Sequence, residues 1–226
     1  TLATKCGHVA GNYKGEAWTA ELVTDSIERS LKLMKTDYVD LVQLHSCKID
    51  VLEQGDVIEA LIKARDAGKT RFIGYSGDNE HAQWAVYSGI FAALQTSFSM
   101  VDQKARDGLL EAAEAKGMGI IIKRPIGNIV WGKASVSSAY HQQYLERAQA
   151  MSALGPVVGE DDPIKMAMGF TFAHPQVHTA IVGTTNPAHL LSNIEMLDKG
   201  VTPESETMDT LIQRFGELGA DWPQMT

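Results

Sequence analysis

Asp37-Tyr38-Val39-Asp40-Leu41-Val42-Gln43-Leu44-His45 is the stretch whose reading decides the fold. Val39, Leu41, Val42 and Leu44 form a short apolar run, β-branched in part, of the length of a strand buried on both faces. The run ends on a titratable residue, His45. A buried strand that delivers a histidine at its carboxyl end is how an α/β enzyme brings a catalytic group to its strand ends. A satisfied core histidine would look the same locally. The decision therefore passes to whether other strands end in the same way.

They do. Upstream, residues 1–5 read as a strand ending on Lys5, followed by a polar, glycine-bearing loop to Trp18. Downstream, strands are expected at 71–76, 92–97, 118–123 and 178–182, ending on or holding Ser76, Gln95, Lys123 and, just beyond, Gly183-Thr184. Helices fill the intervals. Thr19 is a candidate N-cap for Val23, Ile27, Leu31 and Met34, which share one helical face. Val57, Ile58, Leu61 and Ile62 define a second helix that Gly68 can close. Asp78 can cap a third, and a fourth is expected over 104–116. Asp162-Pro163 and Asn186-Pro187 each pair an N-cap with a first-turn proline. The latter opens a helix carrying Leu190, Leu191, Ile194 and Leu197 on one face. Thr202-Pro203 opens the last.

Strand–helix alternation along the whole chain implies parallel strands with helical crossovers, either a barrel or an open doubly wound sheet. No Gly-x-Gly-x-x-Gly opens a helix, which weakens the open dinucleotide-binding sheet. Polar residues recurring at strand ends favour an α/β, (β/α)8 TIM-barrel type of fold, with six strands of the usual eight. A single domain over 1–226 is expected, with an insertion at about 125–161. That segment holds Trp131, Tyr140 and Tyr144 and a helix near 138–151, and its length marks it as the part that shapes a substrate pocket.

Composition sets bounds. With 226 residues, 44% hydrophobic and 21% charged, the chain can bury a core without staples. A net charge of -8 argues against nucleic acid or an anionic membrane as partner. Two cysteines, Cys6 and Cys47, indicate a reduced, cytoplasmic setting and read as inert structural thiols. No run of 18 apolar residues is present. The histidines at 174, 178 and 189 lack metal-ligand spacing, so no metal site is expected.

A lysine and a histidine meeting at one barrel mouth suit carbonyl polarisation and general acid–base work. The Gly183-Thr184-Thr185-Asn186-Pro187 turn offers backbone N–H groups, hydroxyls and a helix dipole to an anion such as phosphate. Its plainer reading is an asparagine capping its own helix.

Thr4-Lys5-Cys6-Gly7, Ser30-Leu31-Lys32-Leu33, the stretch ending at His45, Gly68-Lys69 with 71–76, Gln95, and 181–186 through Asn193 together resemble an aldo-keto reductase. The likeness runs in order through essentially the whole chain. It implies a barrel without a glycine-rich fingerprint that binds NADP(H) or NAD(H), with hydride passing to the carbonyl carbon of an aldehyde or ketone. On this likeness Lys5 and His45 are the catalytic lysine and histidine. Ser76 and Gln95 match the carboxamide-binding positions, and Gly183, Thr184 and Thr185 match the turn at the phosphates. Asn193 matches an adenine contact, and His189 stands where an arginine commonly grips the 2′-phosphate. Lys123 takes the place of a tyrosine that often stacks on the nicotinamide.

The family's aspartate and tyrosine precede its lysine, and the resemblance begins at its third barrel strand. The expectation is thus an N-terminally truncated barrel, prone to self-association through the open edge. The leading function is an NAD(P)H-dependent reductase of aldehydes or ketones. The alternative is a catalytically impaired nucleotide-binding or interaction module, and a metal-dependent barrel hydrolase using His45 ranks third.

Overall fold

The computed structural model describes residues 1–157 and 162–225. Strands β1 (Ala3–Cys6), β2 (Val39–His45), β3 (Thr70–Ser76), β4 (Ala93–Ser97), β5 (Gly119–Lys123) and β6 (Thr179–Ile181) follow chain order in the sheet. The pairs β1–β2, β2–β3, β3–β4 and β5–β6 are all parallel. Six parallel strands separated by helices are what the barrel-type reading requires. The chain divides into two compact units, residues 1–96 with 111–120, and residues 97–110 with 121–225.

In the first unit, α1 (Ala20–Met34) starts where Thr19 Oγ1 accepts the Leu22 N–H at 3.2 Å. It stops where Lys35 turns left-handed at φ 54°. Leu22, Val23, Ile27 and Leu31 are its buried stripe, the period that an amphipathic helix demands. A short α2 (Ile49–Gln54), which the sequence pattern did not announce, precedes α3 (Asp56–Asp66). Before α4 (Asn79–Ser88), Asp78 occupies the N-cap position but does not cap the helix. Its carboxylate accepts the Thr96 hydroxyl, near the end of β4, at 3.1 Å. Val42, Leu44, Ile73, Tyr75 and Leu94 are buried to 2% exposure or less and form the core beneath these helices.

Gly74 is one position where only glycine fits. A Cβ there would sit 2.9 Å from the Ala93 carbonyl oxygen and 3.1 Å from a Leu41 methyl. Tight strand approach, not chain reversal, fixes this residue.

In the second unit the helix expected over 104–116, whose last residues (111–116) lie in the first, is broken. A 3-10 turn, Lys104–Arg106, is separated from α5 (Leu109–Ala115) by Gly108 at φ 95°. Then follow α6 (Ala139–Ser152), α7 (Pro163–Phe172), α8 (Pro187–Lys199) and α9 (Ser205–Leu218). Asp162 caps α7 by accepting the Ile164 and Lys165 N–H groups, as its pairing with Pro163 predicts. Phe98, Tyr144, Met151, Phe170 and Leu211 make the core here. In α8 the apolar stripe is present but not buried. Leu190, Leu191 and Ile194 are 50%, 67% and 49% exposed, and it is Asn193 and Met196 that are partly covered. Spacing located the helix correctly but could not say which side faces the protein. No described helix is long and apolar enough to cross a membrane.

Candidate active site

Register decides which side chains share a surface. Lys5 lies opposite Gln43, His45 opposite Ser76, and Ser76 opposite Gln95. Paired residues of parallel strands point to the same side, and alternate residues repeat it. Lys5, Gln43, His45, Ser76 and Gln95 therefore all point from one face of the β1–β4 sheet, near the carboxyl ends of its strands. Cys6, Leu44, Tyr75 and Leu94 take the opposite face and enter the core.

Two polar atoms on the Lys5 face are exceptional. Ser76 is 0% exposed and Gln95 3%. Ser76 Oγ and Gln95 Nε2 are buried without a hydrogen-bond partner among the described residues. Leaving such groups unmet costs about 1–3 kcal/mol each. Paired across β3 and β4, they offer a hydroxyl and an amide N–H side by side. A primary carboxamide, which donates and accepts at once, satisfies both.

Sequence reasoning missed a neighbour of His45. The rings of His8 and His45 have centroids 5.1 Å apart and meet edge to face at 89°. His8 in turn meets Trp18 at 4.9 Å. No strand or helix period could have signalled this, because His8 and Trp18 lie in the loop after β1.

The expectation of unreactive thiols matches the electrostatics. Burial, helped by the nearby Cys47, pushes the Cys6 thiol from 9.0 up to about 12. Burial and then Asp50 do the same to Cys47, which also reaches about 12. A thiol whose folded pKa is raised contributes stability that is intact below pH 9.0 and is lost as pH climbs towards 12. Unfolding free energy should fall over that alkaline window by on the order of 4 kcal/mol for Cys6. Denaturant titrations at stepped pH check this, and Cys6→Ala should flatten the fall.

In the second unit, Lys123 ends β5 and Gly183 lies just past β6, with Lys123 paired to Ile181. Both line a cavity of about 560 Å³, together with Arg124, Asn128 and His141. Arg124, Asn128 and Ile129 all adopt left-handed φ, at 60°, 57° and 58°. Backbone strain of this kind is tolerated where the surroundings over-determine it. For Arg124 they do: its guanidinium donates to Ser97 Oγ at 2.8 Å, to the Tyr144 hydroxyl and to the Met225 carbonyl.

The Gly183-Thr184-Thr185 turn is partly spent on its own helix. Thr184 Oγ1 accepts the Asn186 N–H at 3.1 Å and lies 3.3 Å from His189 Nδ1. Asn186 Oδ1 accepts the Ala188 N–H. The asparagine cap foreseen as the plainer reading is thus present. Thr185 is exposed and Asn193 half-buried.

A family model described as the aldo/keto reductase family matches residues 1–210. The chain is 26% identical over 203 residues to L-galactose dehydrogenase of Arabidopsis thaliana, which covers 85% of this chain and 62% of the relative. It is 25% identical over 198 residues to 6-dehydroglucose reductase of Agrobacterium fabrum, covering 82% and 63%. The chain thus spans somewhat less than two thirds of either relative's length. Among solved structures, the holo form of the aldo-keto reductase AKR11C1 from Bacillus halodurans superposes with a TM-score of 0.72 at 18% identity. That match covers 94% of this chain and 71% of the other. A family match over residues 1–210, joined to strands laid down in the family's order, has one meaning: the chain belongs to the aldo/keto reductase family.

Proposed function

We propose that the protein is an NAD(P)H-dependent oxidoreductase that reduces an aldehyde or ketone to an alcohol. The observation that carries this is the unmet pair Ser76 Oγ and Gln95 Nε2, on the same sheet face as Lys5 and His45. The nucleotide, when bound, supplies the hydride.

This chain's residues bind, orient and stabilise charge, and the proton that turns the resulting alkoxide into the alcohol would come from solvent. Ser76 and Gln95 would hold the nicotinamide carboxamide, gaining hydrogen bonds that they lack without it. Reduction places negative charge on the substrate's carbonyl oxygen. The Lys5 ammonium and the His45 imidazole, aimed from one face, would stabilise that charge, and fixed dipoles and cations do this better than water because they need not reorganise. His45 would also fix the direction in which the carbonyl points.

The reading is tested by mixing the protein with NADPH or NADH and following fluorescence, then absorbance on adding aliphatic and aromatic aldehydes. Saturable binding with aldehyde-dependent oxidation is expected. Binding without turnover would instead support a nucleotide-binding module, and no binding would end the proposal.

Gln95→Met supplies a sharper check, because its two effects have opposite signs. Exchanging a buried amide whose Nε2 is unmet for a thioether of similar volume should stabilise the ligand-free protein by about 1–2 kcal/mol. The same change should weaken nucleotide affinity roughly tenfold. Thermal unfolding and fluorescence titration read the two separately.

A further inference from the structure

The loop between β1 and α1 is anchored in an unusual way. Gly7 is left-handed at φ 115°, and a Cβ there would fall 2.0 Å from the Trp18 ring. Trp18 is itself left-handed at φ 63°, and its N–H donates to the Gly7 carbonyl at 3.1 Å. Indole and backbone thus close the loop onto its own start. For a bulky residue such a φ is an outlier that packing must hold in place. The indole then meets His8 at 4.9 Å and 69°, and His8 meets His45 at 5.1 Å and 89°. Three rings in series run from the loop to the end of β2. His8 itself is exposed, so its ring owes its position to these contacts and not to a surrounding core.

From this geometry we infer that His8 is a positioning residue for His45, held by Trp18, so that the 7–18 loop sets the direction of the His45 ring. The physical basis is the aromatic quadrupole: an edge directed at a face resists rotation of either ring. Gly7 is required because its missing side chain is the space Trp18 fills. The inference rests on the proposed role of His45 in directing the carbonyl, but its first test does not depend on turnover.

That test is the proton spectrum of the His45 ring, assigned by comparison with His45→Gln. Edge-to-face packing displaces ring proton signals through the neighbour's ring current. In His8→Ala the His45 signals should move towards their free-imidazole positions, and in His8→Phe, which keeps an aromatic ring, they should stay near those of the parent. Trp18→Leu should move them in the direction of His8→Ala. Unchanged His45 signals in His8→Ala would overturn the inference whether or not the protein reduces carbonyls.

Kinetics give the second arm. His8→Ala should lower kcat roughly two- to tenfold with KM less affected, and His8→Phe should restore it. A loss beyond about 100-fold that phenylalanine fails to rescue would make His8 a proton-transfer group instead, also overturning a positioning role.

Discussion

Lys5→Met should lower carbonyl turnover by about 10²- to 10⁴-fold while nucleotide affinity stays nearly unchanged. Lys5 pairs with Gln43, two residues before His45 on β2, so its stem leaves the sheet on the same face as the imidazole. Methionine preserves the length of that stem and removes only the charge. On the proposed function, what would be lost is the stabilisation of negative charge on the carbonyl oxygen, a charge present in the transition state far more than in the bound substrate. The effect should therefore fall on kcat. Steady-state rates with saturating nucleotide and aldehyde measure it, and NADPH fluorescence titration serves as the control. Turnover equal to that of the parent would remove Lys5 from the mechanism, and a lost nucleotide affinity would reassign it to binding.

Asp102→Ala should destabilise the protein by about 3–5 kcal/mol. Asp102 is 1% exposed. Its carboxylate accepts the Met225 N–H at 2.9 Å and lies 3.9 Å from Arg147 Nη1. Arg147 is 7% exposed, so its charge cannot turn to water when its partner disappears. Burial already draws the Arg147 pKa below the ordinary guanidinium value, with Asp102 opposing that shift. The same carboxylate helps to seat the 222–225 segment. Gln224 donates there to the Ser97 carbonyl, and Arg147 to the Pro223 carbonyl, each at 2.8 Å. Asp102→Asn keeps an acceptor for Met225 and should cost less than the alanine variant. Urea titration ranks the three proteins, and equal stability of Asp102→Ala and the parent would contradict the account.

The cavity beside β5 shares in this network. Met225 accepts from Arg124, and Arg124 holds its left-handed backbone next to Lys123, a cavity-lining residue. Loss of the 222–225 contacts should thus be felt at the strand ends of the second unit as well as at Arg147 in α6. This is the ordinary consequence of a buried polar network whose members share partners.

The amino-acid order by itself determined the six strands, most helix starts and the strand-end residues Lys5, His45, Ser76, Gln95 and Lys123. Those signals are local: a period of 2 or 3.6 and a cap are written within a few residues of where they act. Tertiary structure alone decided the rest. It gave the Asp78 carboxylate to Thr96 and turned the α8 stripe outward. It also left Ser76 Oγ and Gln95 Nε2 unmet and set His8 against His45, 37 positions away. Each outcome depends on which distant group arrives first in space, and a linear pattern carries no such distance.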